Sequence, residues 1–223
     1  MVDYQQFKMN LRAQFVDSND VPLKDCAAAF QKYFDIDGNP GTGSKFESIV
    51  DIDRPYEITA RDFCAVSMLG VDIPPRPALW ILGDEGRKVI SEKLRQVPND
   101  VDIWDDKAID LFRDDGELIQ LWNYLGTAYW PIPRTKNGLG ITLRSKILAA
   151  KRPRLLPVLD KVVRGILGEV DSYWRAFQTS LRDSDLRTLI EQATSSAPDG
   201  ISLLRRMDIV IWTNNNEKFR RPS

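Results

Sequence analysis

The fold is predicted mainly by one stretch, Gly138-Leu139-Gly140-Ile141-Thr142-Leu143-Arg144-Ser145-Lys146-Ile147-Leu148. Its glycines permit a tight hairpin, because a residue without a Cβ tolerates positive φ and lets the backbone approach a ligand. The residues from Ile141 onward follow a helical pattern, so the stretch predicts a hairpin at 138–140 that leads into a helix. The free N–H groups at the start of that helix favour an anion such as a phosphate.

A second feature lies downstream, at Asp160. An apolar run, Leu155–Leu159, leads to this aspartate, and the helical pattern Lys161–Leu167 follows it at once. An aspartate directly before a helical pattern is a natural N-cap, because its carboxylate accepts hydrogen bonds from the first free amides. Asp160 is therefore predicted to cap a helix, at the least.

The spacing of the two features resembles the helix-hairpin-helix DNA glycosylase superfamily. In that family a Gly-x-Gly hairpin opens a helix, and an aspartate about twenty residues after the second glycine faces the flipped nucleotide. Gly140 and Asp160 have that spacing. The resemblance implies an all-α, glycosylase-like helical fold that binds DNA. It also implies that Asp160 is the catalytic carboxylate, which would stabilise an electron-poor sugar by its charge.

The resemblance also implies how this chain would act on DNA. Bifunctional members carry a lysine two residues after the second glycine, where this chain has Thr142, so a monofunctional enzyme is expected. Lys146 follows one helical turn later and would approach the same face. The expected DNA-binding residues come from the hairpin, the helix and the basic segment after it: Gly138, Gly140, Thr142, Arg144, Lys146, Lys151, Arg152 and Arg154.

The segment Lys151–Val158 carries a second resemblance. It is similar to the Lys-Arg-Pro-Arg-Leu-Ile-Pro-Val motif of an uncharacterised bacterial family of helical proteins. This likeness extends to Thr59–Leu69, Val97–Asp100 and Ser202–Asp208. It implies a helical protein and brings no established activity.

Charge is distributed unevenly along the chain. The formal net charge is −1, but residues 1–120 carry −9 and residues 121–223 carry +8. Between Arg134 and Arg164 there are nine basic residues and one acid, a pattern that can follow a polyanion. The stretch Asp100–Glu117 holds eight acids and would repel DNA. A basic surface that pairs with the acidic half, within the chain or across a dimer, explains the same pattern.

Periodicity predicts helices over most of the chain. Thr59-Ala60-Arg61-Asp62 has the form of a capping box, with Asp in place of Glu, and it starts an apolar helix in which Cys64 is expected in the core. The charge shift divides the chain into an N-terminal helical subdomain, 1–100, and a C-terminal one, 101–223, that holds the hairpin. The other predicted helices are Tyr4–Phe15, Leu23–Phe34, Ala78–Leu82, Asp84–Val97, Glu117–Trp130, Ile141–Ala150, Lys161–Leu167, Tyr173–Leu181, Leu186–Ala193 and Ile201–Trp212.

Composition excludes several kinds of chemistry. The chain has no histidine and two cysteines, which excludes imidazole acid–base catalysis, the usual zinc sites and a disulfide scaffold. No run of apolar residues is long enough to cross a membrane, and the start of the chain lacks a signal-peptide pattern. We therefore expect a cytoplasmic protein without a metal or other cofactor and without membrane contact, with a homo-oligomer as an option.

Two functions remain open. The first is a DNA-binding helix-hairpin-helix protein with monofunctional glycosylase activity. The second is a non-enzymatic helical module that mediates protein–protein interaction or dimerisation. A concave cleft lined by Arg144, Lys146 and Lys151 would favour the first function. An Asp160 that only caps a helix would favour the second.

Overall fold

The computed structural model describes residues 1–34, 38, 41–127 and 139–216. Over these residues the chain is all-α, as predicted: they contain no strand, and one isolated bridge joins Val16 to Pro22. None of the helices in these ranges is both long and apolar enough to span a membrane. The α-helices are α1 (Tyr4–Arg12), α2 (Lys24–Phe34), α3 (Phe46–Ile49), α4 (Ala60–Ser67), α5 (Pro75–Leu82), α6 (Asp84–Gln96), α7 (Glu117–Thr127), α8 (Ile141–Lys151), α9 (Lys161–Leu167), α10 (Tyr173–Leu181), α11 (Ser184–Ala193) and α12 (Leu203–Asn215).

Side-chain caps fix several helix starts. The predicted capping box at the start of α4 is confirmed: Asp62 Oδ2 accepts the Thr59 amide at 2.8 Å, and Thr59 Oγ1 accepts the Asp62 amide at 3.3 Å. The side chains of Asp183 and Ser202 likewise accept hydrogen bonds from amides in the first turns of α11 and α12. Such caps satisfy amides that have no partner within the helix, so the helix start is set by local sequence.

The described residues form two compact units. The described residues within 1–41, 103–105 and 157–223 form unit 1, and those within 42–102 and 106–156 form unit 2. This partition differs from the predicted subdomains 1–100 and 101–223. The difference has a physical reason: contacts between helices far apart in sequence assemble each unit, and a shift in surface charge along the chain does not report those contacts.

The core of unit 1 forms where α12 packs against α2 and α9, and where α1 packs against α9 and α10. Phe7 is fully buried there, and its ring meets that of Phe177 edge to face at 5.1 Å between centroids. Edge-to-face contact is a favoured geometry for buried aromatic pairs. Phe7, Leu11 and Phe15, four residues apart in the predicted helix Tyr4–Phe15, have no exposed surface.

Unit 2 contains α3 to α8. In it α4 packs against α3 and α8, α6 against α5 and α7, and α7 against α8. Gly86 allows α6 to lie close to α5, since a Cβ at that position would come within 2.1 Å of the Trp80 carbonyl oxygen. The unit therefore contains a close helix pair, α5 and α6.

The predicted burial of Cys64 is wrong. The residue was expected in the core, and it is exposed. On α4 the buried positions are Asp62, Phe63, Ala65 and Val66, so the helix turns Cys64 toward solvent. The apolar composition of a short helix does not indicate which of its faces is buried.

Candidate nucleic-acid interface

The predicted site residues fall into different parts of the structure. Those from Gly140 to Arg154 belong to unit 2, and Asp160 belongs to unit 1. Gly138, which supplies the first half of the predicted hairpin, lies outside the described residues. Each residue is therefore considered within its own unit.

Gly140 is the N-cap of α8. It is exposed, its φ is −62°, and no side chain caps the helix start. Thr142 is half-buried in the first turn. Within the part of the chain that the structure describes, no side chain accepts from the first amides of α8, which is the arrangement predicted for an anion. Gly140 does not use the positive φ that glycine permits.

Arg144 lies across α7. Its guanidinium stacks 4.0 Å from the centre of the Trp122 ring and donates from Nη1 to the Trp122 carbonyl at 2.9 Å. Gly126 leaves room for it, since a Cβ there would lie 2.1 Å from Nη1. Burial lowers the pKa of Arg144 from its usual value. Within the described residues its buried Nε has no acceptor.

Lys146 is buried, with 5% of its surface exposed. Its Nζ donates to the Leu69 carbonyl at 2.8 Å, which ties α8 to the end of the α4 segment. Lys146 was expected to approach the same face as Thr142. In the structure its amino group is directed to a backbone carbonyl within unit 2.

Lys151 ends α8 inside the protein. Its Nζ lies 2.6 Å from Asp62 Oδ2, and the two side chains are 1% and 0% exposed. It also donates to the carbonyls of Asp51 at 2.9 Å and Arg54 at 3.1 Å. All of these acceptors lie in unit 2, so the cation is surrounded by two carbonyls from a segment 97 to 100 residues away in sequence and by the Asp62 carboxylate.

Arg152 is the largest fully buried side chain in the described residues, at 1% exposure. Its guanidinium donates to four backbone carbonyls: those of Val97, Pro55, Lys151 and Leu94. Burial lowers its pKa to about 10, so it stays charged at neutral pH. A planar group with five donors suits this task, because one side chain can donate to several buried carbonyls at once.

Arg154 is the exposed member of the basic motif. Its Nε donates to Asp102 Oδ1 at 2.8 Å, and its Nη2 pairs with Asp102 Oδ2. The pair is bidentate, the geometry that arginine and carboxylate prefer. A phosphate that binds Arg154 would have to compete with this carboxylate.

Asp160 caps α9, as predicted. Its Oδ1 accepts from the amides of Val162 at 2.9 Å and Val163 at 3.0 Å. The neighbouring Lys161 is exposed. The described geometry therefore makes Asp160 the N-cap of α9.

The sequence did not predict which groups accept hydrogen bonds from Lys151 and Arg152. Asp62 was identified as part of a capping box, but nothing in the sequence indicates that its carboxylate also binds Lys151. The carbonyls that accept from Arg152 leave no signature in side-chain identity at all. The one available signal is the motif's setting, since Lys151 and Arg152 lie between an apolar helix and the apolar run Leu155–Leu159. Among the described residues, no group of three or more carboxylate or thiol side chains is arranged to hold a metal ion.

Comparison with known families assigns the chain to one of them. The model of a family of unknown function, DUF6308, matches residues 26–215. No curated protein and no solved structure matched the chain. The chain therefore belongs to DUF6308, and this family description carries no activity.

Proposed function

We propose that this member of DUF6308 is a helical protein-interaction module, in which Lys151 and Arg152 of the basic motif belong to the interior of unit 2. The observation that favours it over a DNA-binding protein is the burial of these two cations among Asp62 and backbone carbonyls. Of the two functions left open by the sequence, this is the non-enzymatic one.

The energetics of the motif favour this assignment. A surface that follows a polyanion needs cations whose N–H groups are free to meet phosphate oxygens. Lys151 would have to leave a buried carboxylate, and breaking a buried ion pair typically costs about 3–5 kcal/mol. Lys146 would leave the Leu69 carbonyl without its donor. Among the described cations of this segment, Lys146, Lys151 and Arg152 are thus bound to partners within unit 2.

The placement of Asp160 supports the same proposal. A glycosylase needs its carboxylate beside the sugar of the extruded nucleotide. Asp160 directs one oxygen to two amides of α9, which is the role of a helix cap. A glycosylase-like fold and activity stay predictions from the sequence.

The test is fluorescence anisotropy with a labelled duplex over a salt series, combined with an assay for base release. A module of the proposed kind gives weak binding whose salt slope is the same for wild type and for Arg154→Ala. It also releases no base from alkylated, oxidised or deaminated duplexes. Release that disappears in Asp160→Asn would overturn the proposal and restore the monofunctional glycosylase.

A second candidate function rests on one observation, the start of α8. Gly140 is exposed, the first turn has no side-chain cap and no acidic residue, and Arg144 lies in that turn. Uncapped amides together with a cation favour a phosphate. The second candidate is thus DNA binding through Gly140, Thr142 and Arg144 alone.

This candidate is tested by Arg144→Ala, with Lys88→Ala as the matched control. Lys88 is an exposed cation of unit 2, on α6. If α8 contacts phosphate, Arg144→Ala reduces the log–log salt slope by about 0.9 and Lys88→Ala leaves it unchanged. Equal slopes in both variants and wild type exclude the α8 contact.

A further inference from the structure

Three Asp–Gly pairs occur in the sequence, at 37–38, 115–116 and 199–200. Such a pair is a reactive point in a polypeptide, because glycine has no Cβ to keep its amide nitrogen away from the preceding aspartate carboxyl. Asp37 lies outside the described residues, whereas the other two pairs lie within them. The structure therefore places the same dipeptide in two settings that can be compared.

The pair Asp199–Gly200 lies in the loop between α11 and α12, and both residues are exposed. Gly200 has a φ of +80°, and a Cβ built on it would meet nothing within 4 Å among the described residues. Within the same residues, its amide donates to no acceptor. In this part of the chain, the nitrogen is thus neither held by a hydrogen bond nor covered by neighbouring atoms.

The pair Asp115–Gly116 is held in place. Gly116 is buried, and its amide donates to the Arg113 carbonyl at 2.9 Å. A Cβ on Gly116 would lie 2.3 Å from the Asp110 carbonyl oxygen. The Asp115 carboxylate is also restrained, since its Oδ1 lies 3.5 Å from Arg113 Nε. The Gly116 nitrogen can therefore reach the carboxyl only after its hydrogen bond breaks and the backbone around it moves.

We propose that Asp199–Gly200 is a site of spontaneous isoaspartate formation, and that the isomer is a substrate for an isoaspartyl carboxyl methyltransferase that uses S-adenosylmethionine. The Gly200 nitrogen attacks Cγ of the protonated Asp199 carboxyl. An N–C bond forms, and the carboxyl hydroxyl leaves with the amide proton as water, which gives a five-membered succinimide. Water then adds to one of the two ring carbonyls. Opening at the main-chain carbonyl leaves the chain running through the Asp199 side chain, with its α-carboxylate free.

The free α-carboxylate is the group that such an enzyme methylates. The methyl group moves from the sulfonium of S-adenosylmethionine to a carboxylate oxygen, and S-adenosylhomocysteine leaves. The Gly200 nitrogen then attacks the ester and expels methanol, which regenerates the succinimide and allows a return to aspartate. Exposed loop tips are the segments that modifying enzymes reach most readily. The exposure of both Asp199 and Gly200 meets this requirement.

The pair lies directly before the segment that starts α12. Ile201 is buried, and its carbonyl accepts from Arg206 Nε at 2.8 Å. Ser202 is the N-cap of α12, the helix that packs against α2 and α9 in unit 1. Isomerisation lengthens the main chain by one atom at this point and so alters how the chain enters α12. The site is independent of the function proposed above.

The test is prolonged incubation of the native full chain at neutral pH, followed by digestion with trypsin. The tryptic fragment 188–205 contains the Asp199–Gly200 pair, and fragment 114–134 contains Asp115–Gly116. Isoaspartate has the mass of aspartate, but its peptide elutes separately and resists a protease that cleaves before aspartate. We expect Asp199 to isomerise at least about five-fold faster than Asp115, whose neighbouring amide must first lose a hydrogen bond. Incubation in urea is expected to bring the two rates together.

Asp199→Glu is the matched variant. It keeps the charge, but the ring that its longer side chain would form has six members and closes far more slowly, so we expect no isomer in fragment 188–205. Incubated wild type then accepts a labelled methyl group in this fragment from an isoaspartyl methyltransferase, and the incubated variant does not. No isomer at Asp199, or equal rates at Asp199 and Asp115 in the native protein, overturns the site. An isomer that the enzyme does not methylate overturns the assignment of the enzyme.

Discussion

Arg152 combines a charge, complete burial and four carbonyl acceptors in one side chain. The charge is tolerated because those acceptors replace the water that the guanidinium has lost. The same logic explains Lys151, whose amino group meets the Asp62 carboxylate and two carbonyls. For both Lys151 and Arg152, polar groups of the protein therefore replace the water lost on burial.

Arg152→Met is expected to lower the free energy of unfolding by about 3–5 kcal/mol, because it leaves the carbonyls of Val97 and Pro55 without a donor in the interior. Arg154→Ala is the matched control. Its partner Asp102 is paired near the surface, so a loss of at most about 1 kcal/mol is expected. Denaturant unfolding measures both. Equal stability of Arg152→Met and wild type would show that the motif is not structural.

Asp160 gives a second test at this scale. Asp160→Ala removes the acceptor of the Val162 and Val163 amides and is expected to reduce stability by about 1 kcal/mol. Asp160→Asn keeps a capping oxygen, so its loss is expected to be a few tenths of that. Thermal melts of the two variants beside wild type provide the measurement. A large loss in the Asn variant would mean that the charge has a role beyond the cap.

At the scale of the helices, short-range sequence rules predict well where a cap is present. The limits of α9 and α10 match the predicted residues, and the α4 capping box forms as expected. The four-residue helix α3 was not predicted, because one turn is too short to show a period. Cys64 shows the other limit: the face that a short helix buries depends on neighbours that the local sequence does not contain.

The α5–α6 pair provides the prediction at this scale. Gly86→Ala is expected to destabilise the protein, although alanine favours a helix, because its Cβ would lie 2.1 Å from the Trp80 carbonyl oxygen. Gly165→Ala on α9 is the matched control. A Cβ there meets nothing within 4 Å, so the gain in helix propensity is expected to stabilise by about 0.5–1 kcal/mol. Denaturant midpoints that move in the same direction for both variants would contradict the close α5–α6 contact.

At the scale of the whole chain, the all-α class could be predicted from periodicity. Whether each basic residue is buried or exposed could not. The sequence shows nine cations between Arg134 and Arg164, which is the pattern of a polyanion-binding surface. Whether a cation faces solvent depends on acceptors such as Asp62, whose position relative to Lys151 is set only by the packing of α4 against α8. The two units could not be predicted from the sequence either, because each joins segments from both halves of the chain.

The central claim is that Lys146, Lys151 and Arg152 lie inside the protein. Covalent labelling of native lysines with an amine-acylating reagent tests it most directly. The site-by-site labelling rates are read by mass spectrometry. Lys161 and Lys88 are exposed and are expected to react quickly, whereas Lys151 and Lys146 are buried and are expected to react only when the protein is unfolded. Labelling of Lys151 in the native protein at the rate of Lys161 would contradict the claim and return the basic segment to the surface.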